Sequence, residues 1–450
     1  MRLGRLLFAL AVLARPIASQ ESSVSDSLAL KDCVEIALKN NAEVINARYN
    51  VDIQDMALQS AKGALLPRIS TSYGASKAIT GPRITGQIID PATQQVISAT
   101  GQSVVSGSQS VGANLSMTIY DANTLSSIAA SRANLRSFEQ TLRNTRLTTI
   151  QTVKQRFFLV LQAEKLLALN QESVRVAEES LRRAQTMYEI GSAPVSDVLT
   201  ARSNLESRKV TVITQQNAVD IAKSNLAFTL GIDVNQPIRL KEDTLAVRPV
   251  GMTYEQALRH ALDHRPDLKA RKFGLEQTRR QLEGARSQIR RPTVGLSARY
   301  GWGTQNTPFR GIEDLFLQNY TYSFGLDISM PIFNGMSAEN TIRQRKLQYL
   351  QGVEQLRRDE RNVALSVKQA TLNLDRSRQQ IDAENEAVKA AEEDFRLAEE
   401  RYNFGAGTIL ERLQAQERMF AAKNRYINAI YGYQQELANL EAAVGGLEEE

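Results

Sequence analysis

The segment Tyr320–Met330 alternates without a break. Tyr320, Tyr322, Phe324, Leu326, Ile328 and Met330 are large and apolar, whereas Thr321, Ser323, Gly325, Asp327 and Ser329 are small or polar. Successive side chains leave a strand on opposite faces, so a period of two predicts a strand with one oily and one wet face. Ile69–Lys77, Val111–Ile119 and Val294–Trp302 share the pattern. Polar, Ser/Thr/Gln/Gly-rich segments at about 78–110 and 303–319 separate the members of each pair and read as exposed loops.

Elsewhere the period becomes helical. Helices are predicted at about 30–65 and 253–290, stopped by Pro67 and Pro292, because the residue before a proline leaves the α conformation. Two much longer helices, about 122–189 and 335–403, end at Gly191 and Gly405, and return helices follow at about 194–230 and 408–444. The first long helix carries a seam of Ile150, Val153, Phe157, Val160, Leu167, Val174, Ala177, Leu181, Ala184 and Tyr188. The second repeats it from Val353 through Val363, Val367, Ala370, Leu374, Ile381, Val388 and Phe395 to Tyr402. Steps of three, four and seven are heptad spacing, and at 1.5 Å per residue each rod would measure roughly 100 Å.

The chain states this plan twice. Leu30–Val44 aligns without a gap on Tyr254–Leu268, SMTIYDA (Ser116–Ala122) on SMPIFNG (Ser329–Gly335), and Tyr188–Leu199 on Tyr402–Leu413. The expected organisation is a secretory signal at 1–19, a first repeat at 20–231 with a β-hairpin at 68–120, and a linker at 232–251. A second repeat at 252–445, with a hairpin at 293–331, and a tail at 446–450 complete it. The fold class is mainly α with a small β part.

The signal rests on Arg2 and Arg5 before the apolar run Leu6–Ala14, with the small residues Ala18 and Ser19 after it. Its removal takes Arg2, Arg5 and Arg15 and lowers the formal charge from +6 to +3, too little on this chain to suggest nucleic acid as a partner. A single cysteine, Cys33, excludes an internal disulfide and reads as a small buried hydrophobe. No later run approaches the ~20 apolar residues of a membrane-spanning helix, so any entry into a bilayer has to be as a barrel.

The four strands could belong to a soluble α+β protein, but three features favour lipid. No predicted helix is apolar enough all round to cover both sheet faces. Each strand has the length a tilted strand needs to cross a bilayer. Tyr300, Trp302, Tyr320 and Tyr322 gather at the loop-proximal ends, with Phe333 and Tyr120 near the opposite ends, as in the aromatic girdles of outer-membrane barrels. Ser297, Arg299, Asp327 and Ser329 on the other face suit a wet lumen. Four strands cannot close a barrel, and open edges in lipid leave backbone groups unpaired. The barrel would therefore be shared between chains.

The Leu-x-x-Ala-type opening of each half, the MPIFNG junction and the paired Tyr-x-x-Gly turns together resemble the TolC-like outer-membrane efflux proteins, over essentially the whole mature chain. That resemblance implies a homotrimer with a twelve-stranded transmembrane β-barrel on a long periplasmic α-helical barrel, embedded in outer-membrane lipid. It also implies a passive exit duct for tripartite efflux or type I secretion, working with a periplasmic adaptor and an inner-membrane pump of the RND or ABC type.

Residues follow from it. Gly191, Ser192, Gly405 and Ala406 match the periplasmic tips where the adaptor docks. Asp197, Tyr402, Glu411 and Gln414 match positions lining the closed aperture, with Tyr402 and Asp197 in an interhelix latch. The latch arginine is replaced by Gly407, leaving Arg401 or Arg412 as the substitute cation, and Gln414 stands where the family has a second acid. Glu411 would form a threefold ring of like charges; the plainer reading of Asp197 and Glu411 is acids at helix N-termini, and of the glycines, helix C-caps. His260 and His264 have i, i+4 spacing but no third ligand is apparent. No phosphate loop, Ser/His/Asp arrangement or CxxC pair is present, so no catalysis and no cofactor is expected. The competing reading is a periplasmic coiled-coil scaffold without a pore, which shares the heptads but has no need of the strands.

Overall fold

A computed structural model describes residues 27–81, 84–100, 104–241, 252–305 and 320–446. The expected signal at 1–19, the linker beyond 241, the segment 306–319 and the tail beyond 446 lie outside the described residues. The element order is α1 (Leu30–Asn40), α2 (Ala42–Gly63), β1 (Arg68–Thr80), β2 (Ile84–Ile89), β3 (Val96–Thr100), β4 (Val104–Tyr120), α3 (Ala122–Glu189) and α4 (Val195–Leu230). Then come α5 (Tyr254–His264), α6 (Pro266–Arg290), β5 (Thr293–Gln305), β6 (Tyr320–Ser329), α7 (Ser337–Asn403) and α8 (Ile409–Val444). The long helices hold 68 and 67 residues and both return helices 36.

Two helices expected as single rods are broken. Asn41 leaves the helical conformation (ψ 128°) and its side chain accepts the Glu43 amide at 2.8 Å, capping α2. Arg265 precedes Pro266, which opens α6. The hydrophobic period runs through both places, so only cap and proline chemistry marks them. The loop expected at 78–110 is also corrected. β1 runs on to Thr80, β4 begins at Val104, and β2 and β3 form a separate two-stranded ribbon between them. In its turn the Asp90 carboxylate accepts the Ala92 amide at 3.0 Å and the Thr93 hydroxyl at 2.6 Å. Ser and Thr look loop-like in composition, yet they pair well once a facing strand is supplied. β5 likewise extends to Gln305, inside the second expected loop.

The main sheet is antiparallel in the order β1-β4-β5-β6, so its central pair joins the two halves of the chain. Tyr300 faces Tyr322 and Trp302 faces Tyr320 across β5–β6, and Tyr300 and Trp302 meet edge-on at 4.3 Å. The register puts Leu296, Ala298, Tyr300 and Trp302 on one face with Tyr322, Phe324, Leu326 and Ile328. Ser297, Arg299, Ser323 and Asp327 share the other. All thirteen residues of β1 are exposed, and Phe324, Leu326 and Ile328 stand 80, 62 and 67% exposed. Among the described residues nothing covers this oily face.

The chain divides into two compact units, each drawing on both repeats. One comprises Val153–Val247, Ala387–Tyr431 and the chain up to Ala37. Its core joins Cys33 and Ala37 of α1, Val153, Phe157 and Val160 of α3, Leu226 and Leu230 of α4, and Tyr431 of α8. The described part of the linker is built into it: Leu28 N donates to Arg239 O at 2.8 Å and Ile238 is buried. The other unit holds the sheet and the α5–α6 break, where the Arg265 guanidinium donates to both Asp267 oxygens, to Ser366 Oγ at 3.1 Å and to Ala443 O at 3.0 Å. Both heptad seams are buried or half-buried along their length; Tyr188, in the last turn of α3, is the departure at 49% exposed.

Candidate functional site

The turns closing α3–α4 and α7–α8 are built alike. Gly191 has φ +74° and Gly405 φ +71°. Gly191 donates to Tyr188 O at 2.9 Å and Ser192 to Met187 O at 2.8 Å; Gly405 donates to Tyr402 O at 3.0 Å and Ala406 to Arg401 O at 2.8 Å. These bonds satisfy the last helix carbonyls in a Schellman arrangement, which needs the left-handed glycine. Pro194 takes the N-cap position of α4. Asp197 and Glu411 lie in the first turns of α4 and α8, where the helix dipole favours an anion.

Between the turns lies a cleft of about 540 Å³ lined by Met187, Pro194, Asp197, Tyr402, Thr408 and Ile409, among others. Tyr402 is 9% exposed and its hydroxyl has no hydrogen-bond partner among the described residues. Burial, then the Asp197 charge, push that hydroxyl's pKa up, with Arg412 opposing. Asp197 and Tyr402 thus share the cleft without bonding to each other. Glu411 is exposed and faces Arg401 at 3.6 Å, with both side chains more than half exposed. Gln414 lines a second groove with Leu199, Thr200, Leu410 and Glu417. The four expected aperture residues therefore fall into three settings.

Gly407 is crowded. A Cβ there would stand 3.2 Å from Arg401 Cβ and 3.3 Å from Tyr402 N, so the turn is packed against the end of α7. The buried cation of this neighbourhood is Arg412, 3% exposed. It donates to Ser180 Oγ at 2.5 Å and pairs with Glu399 at 3.3 Å. Its guanidinium also lies 5.9 and 5.8 Å from the rings of Phe395 and Tyr402. Glu399 in turn takes Arg183 at 3.1 Å, and Arg208 pairs with Glu417. Through Ser180, Arg183, Glu399 and Arg412, α3, α7 and α8 are tied by one partly buried charge cluster next to Tyr402; the Arg208–Glu417 pair joins α4 to α8 separately. Sequence reading named Arg412 only as an alternative; the stronger signal was an arginine inside the apolar spacing Ile409, Leu413, Phe420.

His260 and His264 stack with centroids 4.2 Å apart and planes 12° from parallel. Ring-nitrogen lone pairs lie in the ring planes, so stacked rings direct them side by side and not to one point, which is unsuited to chelation. Each Nδ1 is engaged by a backbone carbonyl, Val444 O and His260 O.

The model of the family described as "Outer membrane efflux protein" matches residues 33–232 and 257–446. The toluene efflux pump outer membrane protein TtgC of Pseudomonas putida is 25% identical over 427 residues, spanning 93% of this chain and 83% of that protein. The outer membrane protein TolC of Escherichia coli is 24% identical over 447 residues, spanning 95% and 84%. In fold, the Campylobacter jejuni CmeC outer membrane channel superposes with a TM-score of 0.77 at 20% identity, over 93% of this chain and 85% of that one. With its paired strands, tandem long helices and glycine-capped turns accounted for, and the family model matching both halves, the chain belongs to the outer membrane efflux protein family.

Proposed function

We propose that this protein is the outer-membrane exit duct of a tripartite efflux or type I secretion system. A homotrimer closes a twelve-stranded barrel in outer-membrane lipid, and the long helices form a periplasmic tunnel. The observation that carries this reading is the four-stranded sheet with an uncovered apolar face and free edges at β1 and β6, which a single chain can neither bury nor close. A periplasmic adaptor and an inner-membrane pump supply energy and selectivity, so the chain needs no catalytic residue. In this reading Gly191, Ser192, Gly405 and Ala406 form the docking tips and Asp197, Tyr402, Glu411 and Gln414 line the aperture, with Arg412 replacing the cation missing at Gly407.

The test is electrical. Purified protein in planar bilayers gives discrete channels, and Tyr402→Phe combined with Asp197→Ala raises their conductance; an unchanged closed-state conductance rejects the aperture assignment. Protein that stays monomeric and soluble without detergent rejects the duct and leaves the scaffold.

A further inference from the structure

Where the helices hand over to the strands, the unit containing the sheet is both oily and basic. Leu66, Ile119, Met330, Ile332 and Phe333 stand exposed at this end, Ile332 at 94%. Met330 keeps the alternation of Phe324, Leu326 and Ile328 one step past β6, and Ile332 and Phe333 follow it in the chain. Beside them are exposed cations: Lys62 in the last turn of α2, Arg68 at the first residue of β1, Arg286 and Arg290 in the last two turns of α6, and Arg291 just before β5. The Arg291 guanidinium lies 3.4 Å from the Tyr120 hydroxyl, and Tyr120 pairs with Val294 of the apolar face. A cation is thereby held against a tyrosine at the margin of the oily surface.

The acids at this end are fewer and partly committed. The Asp121 carboxylate accepts the Asn123 and Thr124 amides and the Thr124 hydroxyl, capping α3. Glu339 lies in the first turn of α7, and Asp327, two residues before the end of β6, is exposed on the polar face of the sheet. Among described residues of the four strands, the part beyond mid-strand Arg299 on the loop side carries one exposed cation, Lys77. Positive charge is therefore concentrated at the helix-proximal rim.

We infer that this rim is a docking collar for anionic phospholipid headgroups, with Lys62, Arg290 and Arg291 meeting the phosphates while Ile332 and Phe333 enter the acyl region. This rests on the duct reading, because it requires the sheet to sit in a bilayer. The occupant follows from continuity with the apolar sheet face and from charge: apolar side chains flanked by Lys and Arg match a negatively charged interface. Arg68 is assigned no lipid, since its place in the alternation puts it on the polar face with Ser70.

The test uses the full-length assembled protein in detergent, with native mass spectrometry following retention of phosphatidylglycerol against phosphatidylcholine. Wild type should retain phosphatidylglycerol preferentially, and the preference should fall as salt rises, since exposed charges are screened. Lys62→Gln/Arg290→Gln/Arg291→Gln should lower the preference by about fivefold for each cation that meets a headgroup. Arg290→Lys/Arg291→Lys should keep it, and Lys77→Gln should leave it unchanged. Equal retention of the two lipids by wild type, a salt-independent preference, or a full preference in the triple variant would overturn the collar. Should the triple variant not assemble, the wild-type salt series decides. Insertion of wild type into vesicles of either lipid keeps the duct reading independent of this result; failure to insert into both removes the duct and the collar together.

Discussion

Arg412→Ala is the most informative perturbation of the helical turns. The substitution removes a 3% exposed cation from Ser180 and Glu399 and leaves a void beside Phe395 and Tyr402. Removing one partner of a fully buried pair costs about 3–5 kcal/mol. Here Glu399 is 28% exposed and keeps Arg183 at 3.1 Å, which brings the expected cost just below that range, to about 2–3 kcal/mol. At 1.4 kcal/mol per factor of ten that is a rise of about 30- to 140-fold in local opening. Arg412→Met refills the volume but deprives Glu399 of this partner just as Arg412→Ala does, so it should recover only the part of the cost that comes from the void. Arg401→Ala removes a cation with 63% exposed side chain from its pair with Glu411 and should cost no more than about 0.5 kcal/mol. Hydrogen exchange on the intact protein, read on amides of 409–420, measures this opening without assuming global two-state unfolding. If Arg412→Ala and Arg401→Ala lose equal protection, burial is not what gives Arg412 its weight and the charge cluster does not brace the turn.

Three further outcomes follow from single side chains. Burial and the Asp32 charge push the Cys33 thiol up to about 12, so alkylation at pH 8 should be negligible in native protein and rapid after denaturation; rapid native labelling would contradict the packed α1–α3 core. Gly405 has open space around a would-be Cβ, so Gly405→Ala should cost only its backbone strain at positive φ, about 1–2 kcal/mol, and Gly405→Asn less; equal thermal stability of the two variants would remove the left-handed requirement. Burial alone would raise the Asp267 carboxyl, but Arg265 and the Leu268 amide outweigh it and hold it below its ordinary value. Its stabilisation is therefore present above the unfolded pKa, about 3.9, and is lost as pH falls through the lower folded value. Asp267→Asn should flatten acid unfolding in that window, and an unaltered acid limb by circular dichroism would refute the assignment.

The sequence by itself determined the elements that depend on local period and chain reversal. Alternation placed all four strands of the main sheet, the heptad seam placed α3 and α7, and Gly191 and Gly405 fixed the turns, because strand faces, helix stripes and left-handed caps are properties of a few neighbouring residues. The tertiary structure decided what depends on distant partners. It broke the two shorter helix segments at Asn41 and Arg265, where Arg265 also reaches Ser366 and Ala443. It made a ribbon of β2 and β3 from a segment whose composition reads as loop. It separated Glu411 and Gln414 from the Asp197–Tyr402 cleft and drew Arg412 inward onto Ser180, Glu399 and two aromatic rings. A side chain's spacing tells which stripe of its helix it occupies, but which helix covers that stripe, and so whether a charge is buried or solvated, is settled only when residues hundreds of positions apart are packed together.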